Sequence, residues 1–197
     1  MINVPPDAAS SSIGSDTQLN LGEGGEIGRS FQAGAEDGTS TNVQVNISGG
    51  TVEPYFHANA GSTVTMSGGY INGELYAGSG SVVDVSGGRL GVFVHTDEGS
   101  DVTISGGEFG PSFRRPAPNT VTLVGGDFAI DGLPIAGLDN VGDEVTVDIP
   151  VNAVLSGVLA GGNPFAFAPY NDENFHGTSA TSRSAARWLT VRRSASI

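Results

Sequence analysis

Apolar and polar residues alternate in short segments that recur every 19 residues along the chain. Each segment precedes a Ser-Gly-Gly tripeptide, which begins at Ser48, Ser67, Ser86 and Ser105, with a degenerate copy at Val124. Alternation with a period of two is typical of a strand that buries one face. The apolar pairs of the successive segments are Val45/Ile47, Val64/Met66, Val83/Val85, Val102/Ile104 and Val121/Leu123.

A second apolar pattern follows each Gly-Gly pair. One column consists of Val52, Ile71, Leu90, Phe109 and Phe128, and a second column, four residues further on, consists of Phe56, Leu75, Val94 and Phe113. The even spacing keeps both columns on one face of an extended chain, so each repeat contains at least one further short strand.

One coil of short strands cannot bury its apolar face alone, whereas stacked coils pair their backbones and align like residues into ladders. The sequence therefore predicts an all-β, single-domain parallel β-helix with 19-residue coils, about six to eight in number. The Gly-Gly pairs are expected at one corner and small-residue runs such as Asn59-Ala60-Gly61-Ser62 at another. A right-handed helix is favoured because the 18-residue, hexapeptide pattern of left-handed helices is absent.

The repeat also predicts the organisation of the chain. The β-helix is expected to span residues 1–176, with regular coils over 41–135, a loop insertion over 34–41, and irregular coils and a cap over 136–176. Residues 177–197 are predicted to be a basic Ser/Ala/Arg tail, because residues 183–197 contain four arginines and no acid. Either this tail is disordered or non-native, following a truncation or frame change, or it docks on the acidic body.

Composition narrows the classes of partner. The formal net charge of −13 disfavours nucleic acid and anionic membrane surfaces. The chain has no cysteine, so it forms neither disulfides nor thiolate metal sites. It has no apolar run long enough to span a membrane. The acidic, lysine-free, Gly/Ser/Thr-rich composition favours a secreted, extracellular or cell-surface setting, although no signal peptide is recognisable after Met1.

From Ile2 to about Phe175 the chain resembles a family of secreted bacterial SGG-repeat proteins. Their coils read S-x-V-x-I-S-G-G-x-V-G-x-x-F-x-A-N-x-G, and the matching segments here include SDTQLNL, AEDGTSTNV, FHANAGSTV and AVLSGVLAGGNPFAF. The resemblance implies a β-helix and export from the cell, and no particular reaction. Pectate lyases and polygalacturonases share this fold class, which is an analogy of fold alone.

Outward residues of an in-register helix also form columns, and one face concentrates groups with chemistry. Its members fall in three columns: Glu53, Asn72, Gly91 and Gly110; Tyr55, Glu74, Phe93 and Ser112; and Gln32, His57, Tyr76, His95 and Arg114. The other outward faces carry mainly threonine, asparagine, serine and aspartate.

This face predicts a carbohydrate site, because aromatic rings stack on sugars and paired carboxylates hydrolyse glycosidic bonds. Glu53 and Glu74 are the candidate catalytic pair, with Cα atoms expected about 8 Å apart, and His57 or His95 is the candidate for proton transfer. The candidate substrate-binding residues are Tyr55, Tyr76, Phe93 and Arg114. The predicted function is that of an extracellular glycoside hydrolase.

Three other interpretations remain open. The chain can be a non-catalytic surface or adhesin-like module, an ester hydrolase that uses His57 or His95 with a neighbouring serine, or a β-helix with an ordinary solvated face.

Metals and partners are less well defined by the sequence. No cofactor is predicted, and zinc is disfavoured because the histidine column lacks a third ligand. Calcium is an alternative at Asp97, Glu98 and Asp101 or at Asp139, Asp143 and Glu144, where solvated carboxylates are the favoured interpretation. Open coil ends predict possible self-association into homo-oligomers.

Overall fold

The structure is a computed structural model that describes residues 1–109, 112–114, 121–150, 153–167 and 188–195. All regular elements within these residues are strands, as the sequence predicts. They are β1 (Ile2–Val4), β2 (Ser12–Ile13), β3 (Gln18–Leu21), β4 (Glu26–Ile27), β5 (Gln32–Ala33), β6 (Val43–Ile47), β7 (Thr51–Val52), β8 (Phe56–Ala58), β9 (Ser62–Ile71), β10 (Glu74–Ala77), β11 (Val82–Leu90), β12 (Phe93–Thr96), β13 (Asp101–Ile104), β14 (Glu108–Phe109), β15 (Ser112–Arg114), β16 (Val121–Ile130), β17 (Leu133–Pro134), β18 (Glu144–Asp148), β19 (Leu155–Leu159), β20 (Pro164–Phe167) and β21 (Trp188–Arg193).

The strands form a parallel β-helix, which confirms the predicted fold class. The larger sheet runs β1-β3-β6-β9-β11-β13-β16, with β4, β7 and β14 beside it, and the smaller sheet runs β2-β5-β8-β10-β12-β15. All of these pairs are parallel, and Val64, Val83, Val102 and Val121 are successive partners at 19-residue steps. Six strands in the smaller sheet correspond to about six coils. The right-handed sense stays a prediction.

The predicted loop insertion is visible as a change of register. Ala33 pairs with Ala58, whereas Val43 pairs with Ser62. Six more residues therefore lie between Ala33 and Val43 than between their partners. The loop they form packs its Gly34 against Asn59 and Ala60 of the next coil, beside the smaller sheet.

The predicted inward columns form the core. Val45, Val64, Val83, Val102 and Val121 are all buried, and Phe31 and Phe56 stack inside with ring centroids 5.5 Å apart. The side chains of Phe109 and Phe113, predicted for the same columns, lie outside the described residues. Stacked coils thus bury a continuous apolar interior, which drives the folding of this repeat.

Outward residues of the larger sheet are aligned as well. Asn20 donates to Asn3 and Asn46 donates to Asn20, each at 2.8 Å, and the Thr65 hydroxyl donates to Asn46 at 2.7 Å. The four side chains belong to four successive coils. Such a ladder forms only when equivalent residues recur at the same point of each coil, so it follows directly from the register.

The Gly-Gly pairs of β9, β11 and β16 lie inside strands, whereas Gly49-Gly50 separates β6 from β7 and Gly106-Gly107 separates β13 from β14, as the predicted corner requires. β9 and β11 continue through their pairs, with register shifts on either side of Gly87. A Cβ atom on Gly87 would lie 2.4 Å from the Ser67 carbonyl oxygen of the preceding coil. At the first glycine of each of these pairs the neighbouring backbone approaches too closely for a side chain, whether or not the strand continues through the pair.

The second corner is held by a repeated hydrogen bond. Ser62, Ser81 and Ser100 are buried, and each hydroxyl donates to the carbonyl oxygen three residues earlier at 2.6 to 2.8 Å. The glycine before each serine has a positive φ, 74° at Gly61. The sequence predicts this corner correctly, because small residues recur there in three successive coils.

The C-terminal part changes from parallel coils to antiparallel strands. β19 pairs antiparallel with β16 and β20, while β21 pairs parallel with β16 and antiparallel with β18. These strands cover the last coil in the place of the irregular coils that the sequence predicts. Residues 188–193 of the predicted basic tail form β21, where Arg192 contacts Glu144 and Arg193 donates to the Leu138 carbonyl at 2.7 Å. Residues 177–187 and 196–197 of that tail lie outside the described residues.

Candidate functional site

The candidate face is the outer surface of the smaller sheet. In β8, β10 and β12 every second residue points inward, as Phe56, Leu75 and Val94 do, so the residues between them point outward. His57 pairs with Tyr76 and Tyr76 pairs with His95, which brings the predicted histidine column together. Arg114 is the next backbone partner of His95, and its side chain lies outside the described residues.

Three rings of this column form a continuous stack, called the ring stack here: His57, Tyr76 and His95. The centroids of His57 and Tyr76 are 4.6 Å apart, those of Tyr76 and His95 are 4.4 Å apart, and both pairs are within 8° of parallel. Both faces of the Tyr76 ring are therefore occupied by imidazoles. No face of the Tyr76 ring remains for the predicted stacking against a sugar, so its hydroxyl is the group through which Tyr76 can act.

Glu74 links two members of the ring stack. Its carboxylate accepts a short hydrogen bond from the Tyr76 hydroxyl, and the same oxygen lies 3.4 Å from Nε2 of His95. Both side chains are about one-fifth exposed. A carboxylate fixed in this way holds its remaining acceptor sites in a defined direction, and the imidazole of His95 lies within ion-pair distance of it.

Glu53 belongs to a different hydrogen-bonded group. The Asn72 amide lies 3.5 Å from the Glu53 carboxylate, and the Tyr70 hydroxyl donates to Asn72 at 3.1 Å. Gly73, with φ of 113°, turns the chain between Asn72 and Glu74. The structure therefore places the two predicted carboxylates on either side of a turn, each with its own partners.

Aromatic residues beside the stack provide further contact surface. Phe93 meets His95 edge to face at 6.1 Å. Tyr55 is 40% exposed, and the Arg29 guanidinium lies 5.6 Å from its ring centroid. The exposed ring of Tyr55 and its arginine form a flat surface of the kind that contacts planar or ring-shaped ligands.

Three charged residues near this face, Arg29, Arg89 and Glu36, are not among the residues that the sequence predicts for the site. Arg89 lies 5.2 Å from the Tyr70 ring centroid, and these two residues are backbone partners directly after the Gly-Gly bend. The signal was present, because the residue after each Gly-Gly forms a column. Glu36 comes from the loop insertion, and no repeat marks its position.

The electrostatic setting of His57 favours its neutral form. Burial lowers the pKa of His57, and the nearby Glu36 and Glu74 carboxylates oppose part of that shift. The folded chain therefore binds fewer protons at His57 than the unfolded chain does, and this group favours folding increasingly as the pH rises through its titration range.

Two of the carboxylates that the sequence offers as alternative calcium ligands, Asp143 and Glu144, already have partners in the structure. Asp143 accepts hydrogen bonds from the backbone and side-chain amides of Asn140 at 2.7 and 3.2 Å, and Glu144 contacts Arg192. Within the described part of the chain, no three histidine or acidic side chains converge as a metal site would require. That the chain uses no cofactor stays a prediction.

Two cavities lie near the C-terminal strands. One of about 340 Å³ is lined by residues that include Glu108, Asn163 and Phe165, and one of about 240 Å³ is lined by residues that include Asp127, Phe128 and Arg193. Neither is lined by a residue of the ring stack, so they are separate from the predicted face.

No protein-family model, curated protein or solved structure matches this chain. The resemblance to secreted SGG-repeat proteins therefore stays a prediction. Among the described residues there is no helix with the length and apolarity needed to cross a membrane. The class of protein is defined by the fold alone: a parallel β-helix repeat protein.

Proposed function

We propose that this chain is a carbohydrate-binding β-helix module of an extracellular or cell-surface setting, and that it binds its ligand without hydrolysing it. The observation that carries the proposal is the Glu74 carboxylate, held on an outer sheet face by Tyr76 and His95. Fixed acceptors and donors bind sugar hydroxyls well, because little side-chain freedom is lost on binding.

The group around Glu53 supports the same function. Its carboxylate and the Asn72 amide supply a second set of polar groups, in the segments that connect the larger sheet to the smaller one. Tyr55 supplies an exposed aromatic ring. Because the chain carries a net charge of −13, neutral sugars are favoured over uronic acids.

Glycoside hydrolysis by Glu53 and Glu74 is the alternative activity. The two groups that cleave a glycosidic bond flank it at about 5 to 9.5 Å, whereas Glu74 and His95 approach to 3.4 Å. Glu53 and Glu74 have separate hydrogen-bond partners on either side of Gly73, and neither of these hydrogen bonds links the two carboxylates. Hydrolysis by this pair is therefore the activity to be tested rather than the proposed one.

The contact of Glu74 with His95 favours ester hydrolysis as a second candidate function. A carboxylate that orients an imidazole is the supporting half of a nucleophile–histidine–acid triad. The register places Ser112 opposite Phe93, two coils beyond Glu74 in the same row. Ser112 is therefore the serine to substitute when ester turnover is measured.

Binding to a panel of neutral, amino and uronic oligosaccharides, measured by calorimetry, tests the proposed function. We expect Glu74→Gln and Tyr55→Ala to weaken binding of the preferred sugar by at least about tenfold, or 1.4 kcal/mol. Thr103→Val, on the outer face of the larger sheet, is the matched control and should leave the affinity unchanged. Failure of every sugar to bind, or equal binding by all three variants, would contradict the proposal.

Chromogenic glycosides and esters measure turnover with the same proteins. The proposal predicts no turnover of either class of substrate. Glycoside turnover that disappears in Glu53→Gln and Glu74→Gln would establish the hydrolase instead. Ester turnover that disappears in Ser112→Ala and His95→Gln would establish the second candidate.

A further inference from the structure

Both sheets begin at the same end of the β-helix. β1 is the first strand of the larger sheet and β2 is the first strand of the smaller one, and residues 5–11 connect them. In a parallel strand, alternate residues direct their backbone groups to opposite sides. One set bonds to the next coil, and the other set is exposed to any strand that approaches.

The exposed backbone groups of β1 are bonded by a single residue of the connection. Val4 faces the next coil, because its carbonyl accepts from the Gly22 amide at 2.8 Å. Asn3 faces outward, and its amide donates to the Asp7 carboxylate at 3.0 Å while the Asp7 amide donates to the Asn3 carbonyl at 2.9 Å. Asp7 therefore takes the place that a residue of another strand would occupy.

The same connection also reaches the edge of β2. The carbonyls of Ser11 and Ile13 accept from Gln32 and Gly34 of the next coil at 3.0 and 2.9 Å. Ser12 lies between them and faces outward, where its carbonyl accepts a hydrogen bond from the Ser10 hydroxyl. One short segment thus bonds to outward backbone groups of both sheet edges.

We propose that residues 5–11 form a cap that prevents a second copy of this chain from adding its strands to the N-terminal edges. Asp7 and Ser10 are the residues that block the edges, through the outward groups of Asn3 and Ser12. The proposal concerns these bonds alone and does not depend on the carbohydrate site.

A second copy is the partner against which the cap acts. At the opposite end of the larger sheet, β16 is already paired with β19 and β21, so an incoming chain meets strands there rather than the open edge of a coil. Two N-terminal edges can meet across a two-fold axis, with their β1 strands antiparallel. This contact is self-complementary and closes, so loss of the cap produces a dimer and not a fibre.

The experiment compares Asp7→Ala/Ser10→Ala with the conservative variant Asp7→Asn/Ser10→Thr, using sedimentation equilibrium over a wide concentration range. The first variant lacks both blocking side chains, whereas the second keeps an acceptor and a hydroxyl. We expect the wild type and the conservative variant to be monomers. The alanine variant should dimerise, with an association constant at least about tenfold higher than the upper limit measured for the wild type. Dimerisation should increase with salt, which screens repulsion between the acidic copies.

Glu23→Ala, in an exposed turn of the next coil, controls for the loss of one negative charge. Dimerisation of this control to the same extent, a dimeric wild type, or an alanine variant that stays monomeric would each overturn the proposal. If the alanine variant does not fold, amide exchange of the wild type decides: the Asn3 amide should exchange at least about 100-fold more slowly than in an unstructured peptide. Unprotected exchange at Asn3 would overturn the cap.

Discussion

Gly87→Ala is expected to destabilise the protein by about 3 kcal/mol, close to the upper end of overpacking effects. The added Cβ would lie 2.4 Å from the Ser67 carbonyl oxygen and 3.0 Å from its carbon, and both atoms belong to the backbone of the preceding coil. Backbone within a sheet cannot move away without breaking ladder hydrogen bonds, so the coils must separate locally. Denaturant unfolding followed by circular dichroism measures the change.

The repeat provides internal replicates and a matched control for this prediction. Gly68 and Gly106 occupy the same position in the neighbouring coils, with contacts of 2.4 and 2.2 Å, and should give similar losses. Gly28 has no atom within 4 Å of an added Cβ, so Gly28→Ala should change stability by less than about 1 kcal/mol. Equal effects at Gly87 and Gly28 would mean that the coils are not packed as described.

Phe56→Ala is expected to cost about 3 to 5 kcal/mol, the usual range for removing a buried phenylalanine. Phe56 is fully buried and stacks on Phe31 of the preceding coil with centroids 5.5 Å apart. The substitution leaves a cavity that rigid stacked coils cannot close. A thermal and a denaturant unfolding curve should both show the loss.

Val92→Ala is the control for this second prediction. Val92 lies one residue before β12 and is 48% exposed, so its truncation should change the free energy of unfolding by about 0.5 kcal/mol or less. A loss at Phe56 no larger than the loss at Val92 would contradict the proposed interior.

The 19-residue period was sufficient to predict the fold and the neighbours on the candidate face. His57, Tyr76 and His95 were placed in one column because they are 19 residues apart, and their rings stack as that column requires. The period gives the register of the backbone, and the register decides which side chains are adjacent.

Contacts within the face could not be predicted in the same way. The short bond between Tyr76 and Glu74 depends on rotamers, and it separates Glu74 from Glu53, whose partner is Asn72. The positive φ of Gly73, between Asn72 and Glu74, has no signal in strand geometry alone. Glu36 approaches His57 from the loop insertion, which has no counterpart in the other coils.

The repeat also does not predict the structure at either end of the β-helix. β21 pairs with β16 although no repeat leads to it, and Asp7 bonds to β1 from a connection that resembles no other segment. The terminal coils must satisfy their exposed backbone groups with nearby residues, so the hydrogen bonds at the two ends differ and do not follow the repeat.

Pairs of cysteines introduced into this cysteine-free chain test the central claim, that equivalent residues of successive coils are backbone neighbours. Thr65 and Asp84 are partners on the outer face of the larger sheet, where neighbouring strands lie about 4.8 Å apart. Thr65 and Val82 are displaced by two residues, so their Cα atoms lie about 8 Å apart, beyond the reach of a disulfide. Under mild oxidation, Thr65→Cys/Asp84→Cys should form a disulfide rapidly and Thr65→Cys/Val82→Cys should not. Equal formation in the two proteins, or formation only in the second, would contradict the stacked 19-residue coils.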